Sequence, residues 1–188
     1  MKVLVSGKTL GIVGLGRIGR AVAKRARGFG MRILYHNRRR MAAQEESALG
    51  AHYVDLETLL SESDFVSLHV ALTEKTHHLL GRAELALLKP SAYLINTSRG
   101  PVVDEEALLE VLQQKKIAGA GLDVYENEPA LTPGLRDLDN ITLLPHVGSA
   151  TLETRTKMAR LAAENLLAGL RGEGPPNCVN PESLQKAR

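Results

Sequence analysis

Along the chain, short apolar runs alternate with stretches whose apolar residues recur every three or four positions. "TLGIVG" (9–14) reads as a buried strand, and "RIGRAVAKRARGFG" (17–30) as a helix with Ile18, Val22, Ala26 and Phe29 on one face, closed by Gly30. The alternation continues: strands are predicted over 31–36, 52–54, 64–70, 92–98, 117–124 and 140–145, and helices over 41–49, 56–61, 82–88, 104–115 and 150–171. The last helix places Met158, Leu161, Ala162 and Leu166 on one side. Strands that are apolar throughout, each followed by a helix, imply a parallel sheet covered on both faces, which is a doubly wound α/β fold. The expected organisation is one domain over 6–150, a C-terminal return helix over 151–174 and a polar, proline-bearing tail over 175–188 that leaves the globule.

Composition adds limits. With 188 residues, 44% of them hydrophobic, the chain can bury one sizeable core. Its single cysteine, Cys178, cannot form an internal disulfide, and no apolar run approaches the roughly 20 residues that a bilayer crossing needs. No secretory leader pattern opens the sequence, so the expectation is a cytoplasmic protein without a membrane partner. The net charge of +3 hides an asymmetry: residues 1–40 hold eleven Lys or Arg and no acid, whereas the remainder holds 13 bases against 21 acids. Segregation of this kind concerns partners rather than fold. Nucleic acid is the weaker candidate, because aromatic residues make up only 3% of the chain and several of the arginines lie on one amphipathic helix.

A small anion is the better one. "GLGRIG" (Gly14 to Gly19) sits where the first strand turns into the first helix. In that position Gly14 permits the tight turn, Gly16 admits a pyrophosphate close to the backbone, and Gly19 lets helix and strand pack closely. Arg17 and Ile18 open the helix whose N–H groups and dipole would face the phosphates. An acidic residue normally ends the second strand of such a Rossmann-type domain and binds the adenosine ribose hydroxyls. Here "YHNRRR" (35–40) supplies Asn37 and then Arg38, Arg39 and Arg40. A guanidinium can pair with a 2′-phosphate that a carboxylate would repel, so the reading is NADP(H) preferred with NAD(H) compatible, and Arg38 as the leading phosphate ligand. The bland reading is a solvated charge run, and Arg40 fits it best.

Three further stretches start at strand ends: "NTSRGPVVDEEAL" (96–108), "GLDVYENEP" (121–129) and "LLPHVGSAT" (143–151). The carboxyl edge of a parallel sheet is where ligands bind, and these stretches bring Arg99, Glu128 and His146 to it. Arg99 can clamp a carboxylate and polarise a carbonyl. His146 can exchange a proton near neutral pH, and Glu128 can supply the carboxylate that fixes its tautomer. Each alone also reads as an ordinary loop residue.

These motifs, in this order, resemble those of the D-2-hydroxyacid dehydrogenases, and "LPHVGSAT" followed by "AAENLLAGLRGE" is most similar to the glyoxylate/hydroxypyruvate reductases. The resemblance runs from about Ser6 to Gly174. It implies hydride transfer between a nicotinamide and C2 of a small 2-oxo acid, with Arg99 on the substrate, His146 as general acid and Glu128 as its partner. It also implies cofactor contacts from Ala71, Thr97 and Gly148. Asp123 would lie near nicotinamide or substrate, although a strand-end turn residue is an equal reading. No metal is implied. His77 and His78 read as surface residues, His69 as positional, and Cys178 has no role. Members of the family carry a long segment before the glycine motif that forms most of a substrate domain and much of a homodimer contact, whereas here thirteen residues precede Gly14. Impaired turnover is therefore expected of this chain. The alternative is a nicotinamide-binding interaction module without useful catalysis, like the dehydrogenase-related corepressors.

Overall fold

The computed structural model describes residues 3–185, and among them seven strands form one wholly parallel sheet. In chain order the elements are β1 (Thr9–Val13), α1 (Arg17–Ala26), β2 (Arg32–His36), α2 (Ala43–Leu49), β3 (Ala51–Tyr53), α3 (Leu56–Glu62), β4 (Phe65–Leu68), α4 (Arg82–Leu85), β5 (Tyr93–Asn96), α5 (Glu105–Gln113), β6 (Gly119–Leu122), β7 (Ile141–Leu143), α6 (Leu152–Leu170) and α7 (Glu182–Gln185). The strand order is β3-β2-β1-β4-β5-β6-β7, so the connections run outward in both directions from β1 and β4. This is the doubly wound α/β arrangement, with its switch point between those two strands.

The chain divides into two compact units after Pro145. In the first, apolar residues of the strands bury against helices in two clusters. One gathers Leu59, Leu68, Leu94, Leu108 and their neighbours, and the other Ile12, Leu15, Ala23, Ile33 and Tyr35. Both faces of the inner strands are covered, which is why their runs are apolar throughout rather than alternating, whereas the edge strands β3 and β7 expose His52 and Thr142. Glycine at position 19 explains the inward face of α1: a Cβ there would lie 2.3 Å from the Gly14 carbonyl oxygen. The buried face is accordingly Gly19, Ala23 and Ala26. Of the expected face, Ala26 is buried and Val22 packs against the core, but Ile18 and Phe29 are corrected, being 69% and 57% exposed. Ile18 falls in the first turn, outside the packed seam, and Phe29 falls in a 3-10 turn (Arg27–Phe29) that breaks the α-helical period.

In the second unit α6 has no buried residue, and Met158 and Leu166 are both exposed. The segment after it does not simply run free. The Asn165 side chain donates to Asn177 Oδ1 at 3.1 Å and accepts the Asn177 N–H at 3.0 Å, which ties residues near 177 back to the helix. Among the described residues no helix is long and apolar enough to cross a membrane.

Candidate functional site

The sheet register sets the site. Val13 pairs with His36 on one side and Leu68 on the other, and Leu68, Asn96, Leu122 and Leu143 follow in lateral register. Six strands thus end in one row, and the loops that carry the candidate residues start together from its carboxyl edge. Gly14, Asn37, Thr97 and Asp123 are each the first residue beyond that row.

At the switch point the row opens into a crevice of about 920 Å³. It is lined by Val13 and Gly14 at the end of β1, His36 to Arg39 at the end of β2, and Val70, Ala71 and Thr73 to Thr76 after β4. Gly14 has φ 97°, and a Cβ there would come within 2.8 Å of the His69 backbone. Gly16 is the opposite case, because a Cβ built there meets no atom within 4 Å, leaving room for a ligand. The helix behind it is prepared for an anion. Asp55, Asp104 and Thr151 cap α3, α5 and α6 with their side chains, but α1 starts at Gly16 without a side-chain cap and without an acid in its first turn. Its first N–H groups keep their donors and the positive end of the dipole. A glycine cradle with open space over an uncapped helix N-terminus fits the pyrophosphate of a dinucleotide.

Asn37 lies where the ribose-binding acid is expected, and its side chain does structural duty. Its Oδ1 accepts the Leu15 N–H at 2.6 Å and so ties the end of β2 to the glycine loop. Arg38 and Arg39 line the crevice, and neither has a hydrogen bond or ion pair among the described residues. Arg40 departs from the solvated reading. Its guanidinium makes a two-point pair with Glu46 at 2.8 and 2.9 Å and lies 5.7 Å from the centre of the Tyr53 ring. Lys75 and the threonines around it also face the crevice; the sequence reading stopped at Ala71 and missed them. The signal was "LTEKT", a polar run just beyond a strand end. At His69, burial holds the imidazole below the usual range, and Ser67 Oγ sits 2.9 Å from its Nε2.

Further along the edge, Arg99 is carried by a loop fixed from below. Asn96 is buried, and its Oδ1 accepts from both the Ser98 N–H at 3.0 Å and the Ser98 hydroxyl at 2.8 Å. Its Nδ2 donates to the Arg99 carbonyl oxygen at 3.0 Å. Gly100 then presses on the next loop: a Cβ there would lie 1.8 Å from the Tyr125 carbonyl carbon. The loop after β6 holds Asp123, which is buried, and Glu128, whose carboxylate accepts the Tyr125 N–H at 3.0 Å. Burial first, and then the charges of Asp123, Glu105 and Glu128, raise the Tyr125 phenol above its usual range, so negative charge is concentrated behind this loop. Glu105 and Glu126 lock the same region reciprocally, each carboxylate accepting the other's backbone N–H, at 2.7 and 3.2 Å.

His78 is more than the surface residue the sequence suggested. It adopts φ 48° and places Nε2 2.6 Å from Glu126. His77 joins these two in a group whose ligand atoms lie within 4.8 Å of one another. The Arg99 and Glu128 loops therefore belong to one packed assembly in the first unit. His146, with φ 54°, opens the second unit together with Gly148. Thr97 and Arg99 are exposed at the edge.

Residues 1–148 match the family described as D-isomer specific 2-hydroxyacid dehydrogenase, NAD binding domain. The chain is 59% identical over 180 residues to a glyoxylate reductase of Thermococcus litoralis, covering 96% of this chain and 54% of that protein. To a glyoxylate/hydroxypyruvate reductase B of Enterobacter agglomerans it is 55% identical over 183 residues, covering 96% and 56%. Among solved structures, a glyoxylate reductase from Paecilomyes thermophila superposes with a TM-score of 0.82 at 48% identity, covering 88% of this chain and 50% of that one. The apo form of Rhodotorula graminis D-mandelate dehydrogenase gives 0.83 at 38% identity, covering 93% and 51%. The chain spans about half the length of the curated relatives it matches. A nicotinamide dinucleotide is the ligand that the glycine cradle and this domain type have in common, and the chain belongs to the D-isomer specific 2-hydroxyacid dehydrogenase family.

Proposed function

We propose that this chain is the nucleotide-binding part of an NADP(H)-dependent reductase of small 2-oxo acids, with glyoxylate and hydroxypyruvate as the substrates to test first. The observation that carries the cofactor choice is the pair Arg38 and Arg39, which line the crevice with no carboxylate partner among the described residues. Two such cations beside a strand end that carries Asn37 in place of an acid favour a 2′-phosphate. The substrate choice rests on the names of the relatives, the glyoxylate and glyoxylate/hydroxypyruvate reductases.

The bound dihydronicotinamide supplies the hydride. Arg99 binds the substrate carboxylate and draws electron density toward the C2 carbonyl oxygen. His146, as imidazolium, gives its proton to that oxygen as the alkoxide forms, and Glu128 steadies the charged ring. Thr97, Asp123 and Gly148 complete the nicotinamide end in this reading, and Gly14, Gly16, Arg17, Ile18, Gly19 and Ala71 the pyrophosphate and adenosine end. Homodimer assembly of the full-length form, which rests on the family resemblance, belongs to the same proposal, as does a cytoplasmic location.

The test is a fluorescence titration with NADPH and NADH, followed by addition of glyoxylate or hydroxypyruvate while the reduced-nicotinamide absorbance is followed. Tighter NADPH binding and substrate-dependent oxidation, abolished by Arg99→Ala or His146→Ala, are the expected results. Equal or tighter NADH binding would overturn the cofactor reading. Binding without oxidation by any 2-oxo acid would agree with the impaired turnover expected of this chain, and with an interaction module.

A further inference from the structure

The arc that presents Arg38 and Arg39 is held at both ends. At its start the Asn37 side chain accepts the Leu15 N–H of the glycine loop. At its end the Met41 N–H donates to the Tyr35 hydroxyl at 3.0 Å, and that hydroxyl donates to Glu46 Oε1 at 2.5 Å. Tyr35 is fully buried, so its hydroxyl depends on protein partners, and Tyr53 packs edge-on against its ring at 5.4 Å. The Glu46 carboxylate, only 10% exposed, takes Arg40 with both oxygens as well. Three consecutive arginines would otherwise repel one another and compete for the same anion. Glu46 removes one from the competition and fixes the chain direction for the other two. Its neighbour Glu45 neutralises a different cation, Arg20, at 2.6 Å on a more exposed part of α2.

We propose that Glu46 is a positioning residue for 2′-phosphate selectivity: by holding Arg40 and Tyr35 together it leaves Arg38 and Arg39 as the arc's phosphate-binding cations. The proposal rests on the NADP(H) reading above. Glu46 touches no ligand in it. It acts through the shape of the arc, so its loss is felt by nucleotides that carry a 2′-phosphate and not by those that lack one.

Calorimetric titration of the whole chain with adenosine 2′,5′-bisphosphate and with adenosine 5′-monophosphate isolates that phosphate. The parent chain binds the bisphosphate more tightly. In Glu46→Ala and Arg40→Gln that preference falls by about tenfold, the equivalent of one charge-assisted hydrogen bond, while affinity for the monophosphate stays the same. Glu45→Gln, which breaks only the neighbouring pair, keeps the parental preference. A parent chain without preference would sink the NADP(H) reading and this inference together. A parental preference that survives or grows in both variants, or affinities for the two nucleotides that fall in parallel, would overturn the role of Glu46 and leave the NADP(H) reading standing. Circular dichroism confirms that each variant is folded before it is titrated.

Discussion

Two loops on the same sheet edge each present arginine, and they do it by different means. The 37–41 arc is steered by charge. A carboxylate from the next helix takes Arg40, and Arg38 and Arg39 are left facing a wide crevice. The 97–100 loop is steered by neutral backbone contacts, with Asn96 beneath it and Gly100 wedged against Tyr125. A phosphate presents several oxygens to a mobile guanidinium and tolerates a few tenths of an ångström. A carbonyl receiving a hydride does not, since small misplacements of reacting groups cost large factors in rate. On the proposed function, long, exposed side chains therefore suffice at one end, while the other uses buried hydrogen bonds to place a single Cα.

The sharpest way to break this comparison is through its two glycines. Gly100→Ala puts a Cβ 1.8 Å from the Tyr125 backbone, where no side-chain rotation relieves the overlap. The expected loss is about 3 kcal/mol or more of stability, or failure to fold, read by thermal unfolding. Gly16→Ala meets nothing within 4 Å. It should melt like the parent or slightly above it and lose dinucleotide affinity instead, because the methyl occupies the space proposed for the pyrophosphate. If both variants unfold alike, the distinction between a packed loop and a ligand loop is wrong.

Next in size is Arg38→Ala, expected to weaken NADPH by about 10- to 100-fold while NADH changes little, on the scale of one or two charge-assisted hydrogen bonds. An equal loss for both nucleotides in a fluorescence titration would return Arg38 to a general electrostatic role. Asn96→Ala addresses the other loop. It strips the Ser98 N–H and hydroxyl and the Arg99 carbonyl of a shared buried partner, at a cost of about 1–3 kcal/mol in chemical denaturation.

The fold was legible from the sequence because burial on both faces makes each inner strand a plain apolar run, and each of the seven predicted runs overlaps an observed strand. The positions of α1 to α6 were legible as well, with ends shifted by a few residues, whereas the short α7 falls in the stretch read as a polar tail. The crevice was half legible: Gly14, Arg38 and Arg39 follow from local spacing, but Lys75 reaches the crevice from a loop with no glycine signature. What escaped was pairing over distance. Nothing near Arg40 in sequence marks Glu46 as its partner rather than Glu45, and nothing near His78 points to Glu126, 48 residues on. Asn96 was read as strand and not as the support of Arg99, because a buried amide looks like any other polar strand end until its partners are placed. Helix α1 was read in part: the glycine spacing placed Gly19 in close contact with the strand end, as its approach to Gly14 bears out, whereas periodicity wrongly put Ile18 on the inward face.

Acid separates the two loops with the least perturbation. Bonds from Arg40 first, and from Tyr35 next, lower the Glu46 carboxyl from its usual 4.5 to about 2. A carboxyl depressed on folding stabilises the native state at pH above its unfolded value and loses that contribution as the pH falls toward its folded value. Against Glu46→Gln, the parent should therefore hold a constant advantage in melting temperature above about pH 5 that shrinks between 4.5 and 2. Asn96 and Ser98 carry no titratable group, so the deficit of Asn96→Ala should stay level over the same range. Other depressed carboxyls, Asp55 and Glu110 among them, lower all the curves together in acid and cancel from each difference. A Glu46 difference that ignores pH would mean that the latch works by shape and hydrogen bonding alone, and the charge-steered loop would then be held in the same way as the other.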